Sequence, residues 1–216
     1  LCMLKTAQAQ GIRRVIATPH WGGPFGYTDP VQIRELCFTL QEKARRHNIS
    51  VKIYQGQEVM YTEEAADRIA NGEILTLADS RYVLVEFRPG DNFIKLSRAV
   101  REIVSAGYLP IVAHIERYDC LREKGRTAEL IGLGAYLQMN AGSVLGGIFD
   151  KDARWCREEI TNGRIHFIGT DMHNTGERPP RMLDAWKKLG KKNEMLRKQI
   201  FWINQKYILK DKTLKR

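Results

Sequence analysis

The chain has 216 residues, 43% of them hydrophobic and 28% charged, which excludes a disordered or collagen-like chain. Four scattered cysteines (Cys2, Cys37, Cys120, Cys156) without C-x-x-C spacing exclude a disulfide framework, and no apolar run approaches the roughly 18 residues of a membrane span. The net charge of +10 is uneven: eleven of the 35 basic and two of the 25 acidic residues lie in 187–216, so that stretch carries +9 and the rest +1.

In chain order, Leu1–Gln10 reads as a helix stopped by Gly11, a natural left-handed cap. Val15–Thr18 is a short strand ending in Pro19-His20, and a Gly/Pro-rich loop, Trp21–Pro30, leads to a helix with Val31, Leu36, Leu40 and Ala44 at helical spacing. Val51–Tyr54 is a strand running into Gly56-Gln57-Glu58, followed by a short helix, Glu63–Ala70. The strand Tyr82–Glu86, helix Phe93–Ala106 and strand Ile111–Ala113 ending in His114 come next. A helix over Cys120–Leu133, strand Ala135–Asn140, helix Ala153–Thr161 and strand Ile165–Gly169 follow, and two helices, Arg181–Leu189 and Glu194–Tyr207, close the chain. Unbroken alternation without a linker predicts one α/β domain, residues 1–207, with a parallel sheet. Residues 208–216 are expected to be a solvated, frayed basic tail. With no charged-then-apolar leader, the expected location is cytoplasmic.

The polar residues able to do chemistry sit just past the strands: His20, Glu58, Glu86, His114, Asn140, and Asp171 with His173. The first six are spaced by 38, 28, 28, 26 and 31 residues, about one βα unit each. An α/β barrel brings all its strand C-termini to one face, whereas an open doubly wound sheet gathers only those at its switch point. A barrel therefore accounts for all the positions together. Imidazoles and carboxylates without a thiolate suit Mn, Fe or Zn in a hydrolytic site. Glu86 follows the apolar run Tyr82–Val85, where an unpaired carboxylate is costly. Asp171-x-His173 is expected to place two donors on one side of an extended segment. Arg117 and Arg178, each a surface residue when taken alone, would give a phosphate ester paired guanidiniums beside the metal cluster. His47 and His166 fit no site and read as structural.

The segments Val15–His20, Gly56–Glu58, Ala113–Tyr118 and Asp171–Arg178, with Leu75–Leu77 and Asn140–Ser143 between them, resemble one family. It is the PHP-superfamily protein-tyrosine phosphatases of CpsB/YwqE type, from bacterial capsule and exopolysaccharide operons. The resemblance runs from Leu1 to about Lys210. It implies a distorted (β/α)7 TIM-like barrel of PHP type holding two or three divalent metals, usually manganese. Its metal ligands map onto His20, Glu58, Glu86, His114, Asp171 and His173, and its phosphate-binding arginines onto Arg117 and Arg178. Glu116 and Tyr118 would lie at the rim or behind the ligands. The implied substrate is phosphotyrosine on the tail of a bacterial tyrosine autokinase.

The family pattern also has an opening strand with an Asp-x-His-x-His motif, which this sequence lacks: it opens at Leu1, inside the helix that follows. The expectation is a barrel without its first strand, at least one weak metal position, and reduced turnover. Ile115 stands where the family usually has proline and Met172 where it has alanine, the first relaxing the turn at His114. Two other readings stay open: a phosphatase of a small phosphomonoester such as histidinol phosphate, and a degenerate binding module that docks on the kinase or an anionic membrane surface through the basic tail. Nucleic acid is not expected as a partner, since the charge is terminal and carries no aromatic stacking platform.

Overall fold

The computed structural model describes residues 1–190 and 194–215. All strand pairings are parallel, and the strands follow one another in chain order. β1 (Arg14–Ala17) pairs with β3 (Lys52–Gln55); β2 (His20–Trp21), β4 (Glu58–Met60), β5 (Tyr82–Glu86), β6 (Leu109–Val112), β7 (Tyr136–Asn140) and β8 (Phe167–Gly169) form a six-stranded sheet in that order. β1 runs on into β2 and β3 into β4, each pair interrupted by a short break. Pro19, without an N–H to give the ladder, marks the first. At the second, a Cβ on Gly56 would come within 2.9 Å of Leu77 Cδ2 and 3.0 Å of Ile16 Cγ2, so a larger residue would have to push these side chains aside.

Helices complete a mixed α/β fold. They are α1 (Cys2–Ala9), α2 (Pro30–Arg46), α3 (Ala65–Ala70), α4 (Phe93–Ser105), α5 (Arg126–Gly132) and α6 (Lys151–Thr161), then α7 (Met182–Lys188), α8 (Glu194–Lys198), a π-turn (Gln199–Ile203) and α9 (Gln205–Ile208). The longer ones carry their own start signals. Asp29, Asn92 and Asp150 cap α2, α4 and α6 by accepting backbone N–H bonds, and Pro30 opens α2. α4 buries Leu96, Ala99, Val100 and Ile103, the spacing of one helical face, against the outside of the sheet. The helix expected over Cys120–Leu133 begins only at Arg126, because Gly125 turns the chain with φ +89°; two 3₁₀ turns, Ile115–Arg117 and Asp119–Leu121, precede it.

Strand alternation sorts the side chains. Val83, Val85, Val112, Leu137, Met139 and Ile168 face the helices. Tyr82, Leu109, Ile111, Tyr136 and Phe167 face the inside of the curled sheet, together with Ile16 and Leu84. Among the described residues β1 and β8 do not pair, and a cavity of about 550 Å³ lies between them, reaching up to Glu58, His114 and Asp171.

The chain's end is docked, not frayed. Leu214 is buried against the inner cluster, Tyr82 Oη accepts from Leu214 N at 3.0 Å and donates to Lys212 O at 2.9 Å, and Tyr136 Oη donates to Leu214 O at 2.6 Å. Apolar Ile208 and Leu214 and two buried phenols outweigh the pull of the lysines toward water. Lys191, Lys192 and Arg216, part of the terminal charge, lie outside the described residues.

Candidate metal centre

Parallel strands in sequential order bring their C-terminal ends to one mouth of the fold, and the polar residues past those ends meet there. His20 Nδ1 lies 2.7 Å from Glu86 Oε1 and 3.5 Å from Glu58 Oε2. One donor atom from each of the three falls within 4.8 Å of the others, a separation that could hold an ion. His114 Nε2 approaches Glu58 Oε1 at 3.1 Å and Glu86 Oε2 at 3.4 Å without an aligned hydrogen bond. Glu58, Glu86 and His114 are all buried.

Two carboxylates brought together out of water need positive charge beside them. The imidazoles supply it here. Burial pushes Glu86 up, but contact with His114 and His20 outweighs that and holds it below the usual carboxylate range. Burial likewise pushes His114 down, and Glu58 and Glu86 more than reverse it, to about 9. A divalent cation is the other way to supply that charge, and the buried Nε2 aimed at two carboxylates is the arrangement of a ligand. On the far side of the His114 ring, Nδ1 lies 3.2 Å from Tyr118 Oη, which also accepts from Phe87 N at 3.1 Å. That partner fixes the ring with Nε2 toward the carboxylates.

The second half of the site gathers on Asp171. Its Oδ2 accepts from Arg117 at 2.7 Å, from Asn140 Nδ2 at 2.9 Å and from Arg178. His173 lies close by, its ring 6.1 Å from that of His20. All six sequence-derived ligand positions and both arginines therefore reach the same mouth. The segment at Asp171 is not extended as expected. Asp171 has φ +48°, and His173 Nδ1 turns back to donate to Asp171 O at 3.0 Å, so the two donors are brought together by a turn and not by a shared strand face. His114 is left-handed too, with φ +32° and ψ +56°. Such backbone costs about 1–3 kcal/mol at a non-glycine residue, and persists only where surrounding contacts enforce it.

Neither Glu116 nor Tyr118 is at the rim. Tyr118 is fully buried behind His114. Glu116 Oε1 accepts from Asn140 N at 3.1 Å and from Ser143 Oγ at 2.7 Å, and burial pushes its carboxyl up. Ile115 is fully buried and anchors the turn after His114 in the core. His166 accepts from Leu137 N at 3.1 Å inside the sheet, and His47 ends α2. Gln138, absent from the sequence-derived set, bonds the backbone of His114 and the side chain of Asn140. Its signal was a polar residue at an inward position of β7, between Tyr136 and Asn140.

The family model for capsular polysaccharide synthesis, CpsB/CapC, matches residues 1–210. The chain belongs to the CpsB/CapC family. The tyrosine-protein phosphatase CpsB of Streptococcus pneumoniae is 31% identical over 98% of this chain and 90% of its own length. YwqE of Bacillus subtilis, also a tyrosine-protein phosphatase, is 32% identical over 82% of this chain and 70% of its own. A solved structure from work on YwqE and CpsB as metal-dependent tyrosine phosphatases superposes with a TM-score of 0.90 at 27% identity, covering 99% of this chain and 87% of that one. The chain thus shares its fold, over nearly its whole length, with that solved structure.

Proposed function

We propose that this chain hydrolyses phosphotyrosine in a metal-dependent reaction serving capsule or exopolysaccharide synthesis. The observation that carries the reading is the meeting of a buried imidazole–carboxylate cluster with two arginines at one mouth. In this reading the curled sheet is the greater part of a PHP-type (β/α)7 barrel, one domain to residue 207 with 208–216 as its basic end. His20, Glu58, Glu86, His114, Asp171 and His173 would hold two or three cations, manganese first, with iron or zinc as alternatives for this N/O donor set. When bound, such cations polarise the phosphoryl oxygens and make water a nucleophile near neutral pH.

The chain's own groups do the rest. Arg117 and Arg178, half exposed above Asp171, present guanidinium edges to the non-bridging oxygens and stabilise the charge that builds as the aryl ester bond breaks. Asp171 aims both, and Asn140 and Glu116 hold the β7 end beneath them. Water adds to phosphorus, the phenolate leaves and takes up a proton, and inorganic phosphate is released. The partner in this reading is the tyrosine-bearing tail of a bacterial autokinase in the cytoplasm, with Lys206, Lys210, Lys212 and Lys215 turned to an anionic membrane surface nearby.

The test is turnover of a phosphotyrosyl peptide against histidinol phosphate with Mn²⁺ present. Faster hydrolysis of the peptide, abolished by a chelator, is expected. Preference for histidinol phosphate would move the chain to small-molecule substrates. Metal undetectable by elemental analysis after incubation with Mn²⁺ would make it a binding module.

A further inference from the structure

The inner face of the sheet is layered. Tyr82, Tyr136 and Phe167 make the lowest layer, and the ligands and Asn140 the uppermost. Between them lie Ile16, Leu84 and Ile111, and among these sits the polar Gln138. A polar amide among apolar side chains needs partners, and Gln138 has two that matter. Its Oε1 accepts from the backbone N of His114 at 2.6 Å, and its Nε2 donates to Asn140 Oδ1 at 3.1 Å. Asn140 Nδ2 then donates to Asp171 Oδ2 at 2.9 Å.

The direction of this chain of bonds is forced. A backbone N–H can only donate, so Gln138 must turn its oxygen to His114 and its NH₂ to Asn140. Asn140 must then accept with its oxygen, which sends its own NH₂ to the Asp171 carboxylate. Glu116 pins Asn140 from behind by accepting its backbone N–H. The relay ends on the two left-handed residues of the site, His114 and Asp171, which sit past different strands; Arg117, in the turn after His114, also donates to Asp171 at 2.7 Å.

Gly169 shows that space is reserved for the amide. It is paired with Asn140 across β7 and β8, and a Cβ built on it would fall 2.1 Å from Gln138 Nε2. Its φ lies outside the left-handed region, so alanine there meets no backbone penalty, and the three atoms nearest its Cβ all belong to Gln138.

We propose that Gln138 is a positioning residue: through Asn140 it locks the left-handed turns of His114 and Asp171 in register, so that the two halves of the site present their donors together. The proposal rests on the metal-dependent reading above and adds to it the residue that couples the halves. It requires no contact between Gln138 and substrate. Groups of this kind behind metal ligands change metal affinity or activity by about 10–100-fold when altered.

The experiment is a double-mutant cycle on the full chain with Gln138→Ala and Gly169→Ala, reading Mn²⁺ affinity by calorimetry well below the melting temperature. Each single variant is expected to weaken Mn²⁺ binding about tenfold, and the double variant no more than Gln138→Ala alone, because alanine at 169 acts only by displacing the amide. In steady-state hydrolysis of p-nitrophenyl phosphate at saturating Mn²⁺, kcat should fall and KM should rise, since Asp171 also aims Arg117 and Arg178. Gln138→Glu provides a second variant should Gly169→Ala fail to fold. It keeps the acceptor for His114 and loses the donor to Asn140, and the same tenfold weakening is expected. Parental affinity in Gln138→Glu, or effects of Gln138→Ala and Gly169→Ala that multiply, would overturn the relay. A parental chain that takes up no Mn²⁺ would sink the metal reading and the relay with it, whereas variants that match a metal-binding parent sink the relay alone.

Discussion

The two ends of the same strands obey opposite rules. At the lower end of β5 and β7, Tyr82 and Tyr136 bury their rings 5.4 Å apart and bond through their phenols to the backbone of residues 212–214. Four residues further along the same strands, Glu86 and Asn140 face the mouth. There, carboxylates crowd one another, His114 Nε2 has no aligned partner, and two residues adopt left-handed backbone. One end is satisfied by the chain itself; the other is arranged for something the chain does not contain. A buried imidazole nitrogen without an aligned partner, set among crowded carboxylates and strained turns, is what distinguishes a working site from a core.

The contrast can be broken from either end. The largest effect is expected for Glu86→Gln, which keeps shape and hydrogen bonding and removes one ligand charge. Mn²⁺-dependent turnover of p-nitrophenyl phosphate should fall on the order of a hundredfold, and the metal-free melting temperature should fall too, because the carboxylate that balances His114 and His20 is lost. Arg178→Lys comes next. It keeps the charge and loses the planar fork, and should lower kcat/KM by about 2 kcal/mol, read from kinetics with a phosphotyrosyl peptide. At the lower end the sign reverses. Tyr136→Phe leaves the buried Leu214 carbonyl without its donor and should cost about 1 kcal/mol of stability in urea denaturation while leaving turnover unchanged.

The smallest expected effect sharpens the comparison through pH. The folded pKa of His114 is raised from 6.5 to about 9, so the protonated ring stabilises the folded, metal-free protein fully below pH 6.5 and less as pH rises through about 9. With chelator present, the melting temperature should drop by a few degrees across that window. With Mn²⁺ the slope should reverse, because metal and proton compete for the same imidazole and rising pH favours the metal. A flat profile in both conditions would remove His114 from the cluster. His114→Gln should abolish the drop.

Much of this site was legible in the chain because strand ends carry simple marks. An apolar run such as Tyr82–Val85 followed by a lone acid, or Ile111–Ala113 followed by histidine, announces a polar group at a buried strand terminus. Repetition at about one βα unit then announced convergence. What escaped was everything set by turns and by long-range bonding. Asp171 and His173 were placed on an extended segment, but a left-handed residue puts them together by folding the chain back. Tyr118 and Glu116 were set at the rim or behind the ligands, and the 3₁₀ turns after His114 decide for the second by carrying both inward. The basic end was read as solvated and frayed because its lysines dominate the count; the lysines are exposed, but Leu214 and two tyrosines fix the backbone that carries them.

Periodicity, breakers and the spacing of polar residues are local properties, so the sequence by itself determined a parallel α/β sheet and the set of residues at one end of its strands. Partners distant in the chain are not local. That Gln138 meets His114, that Asn140 meets Asp171 across 31 positions, and that Leu214 meets Tyr136 across 78 were decided only when the sheet curled. Curvature sets which inward side chains share a layer, and a polar group excluded from water must bond whatever that layer supplies.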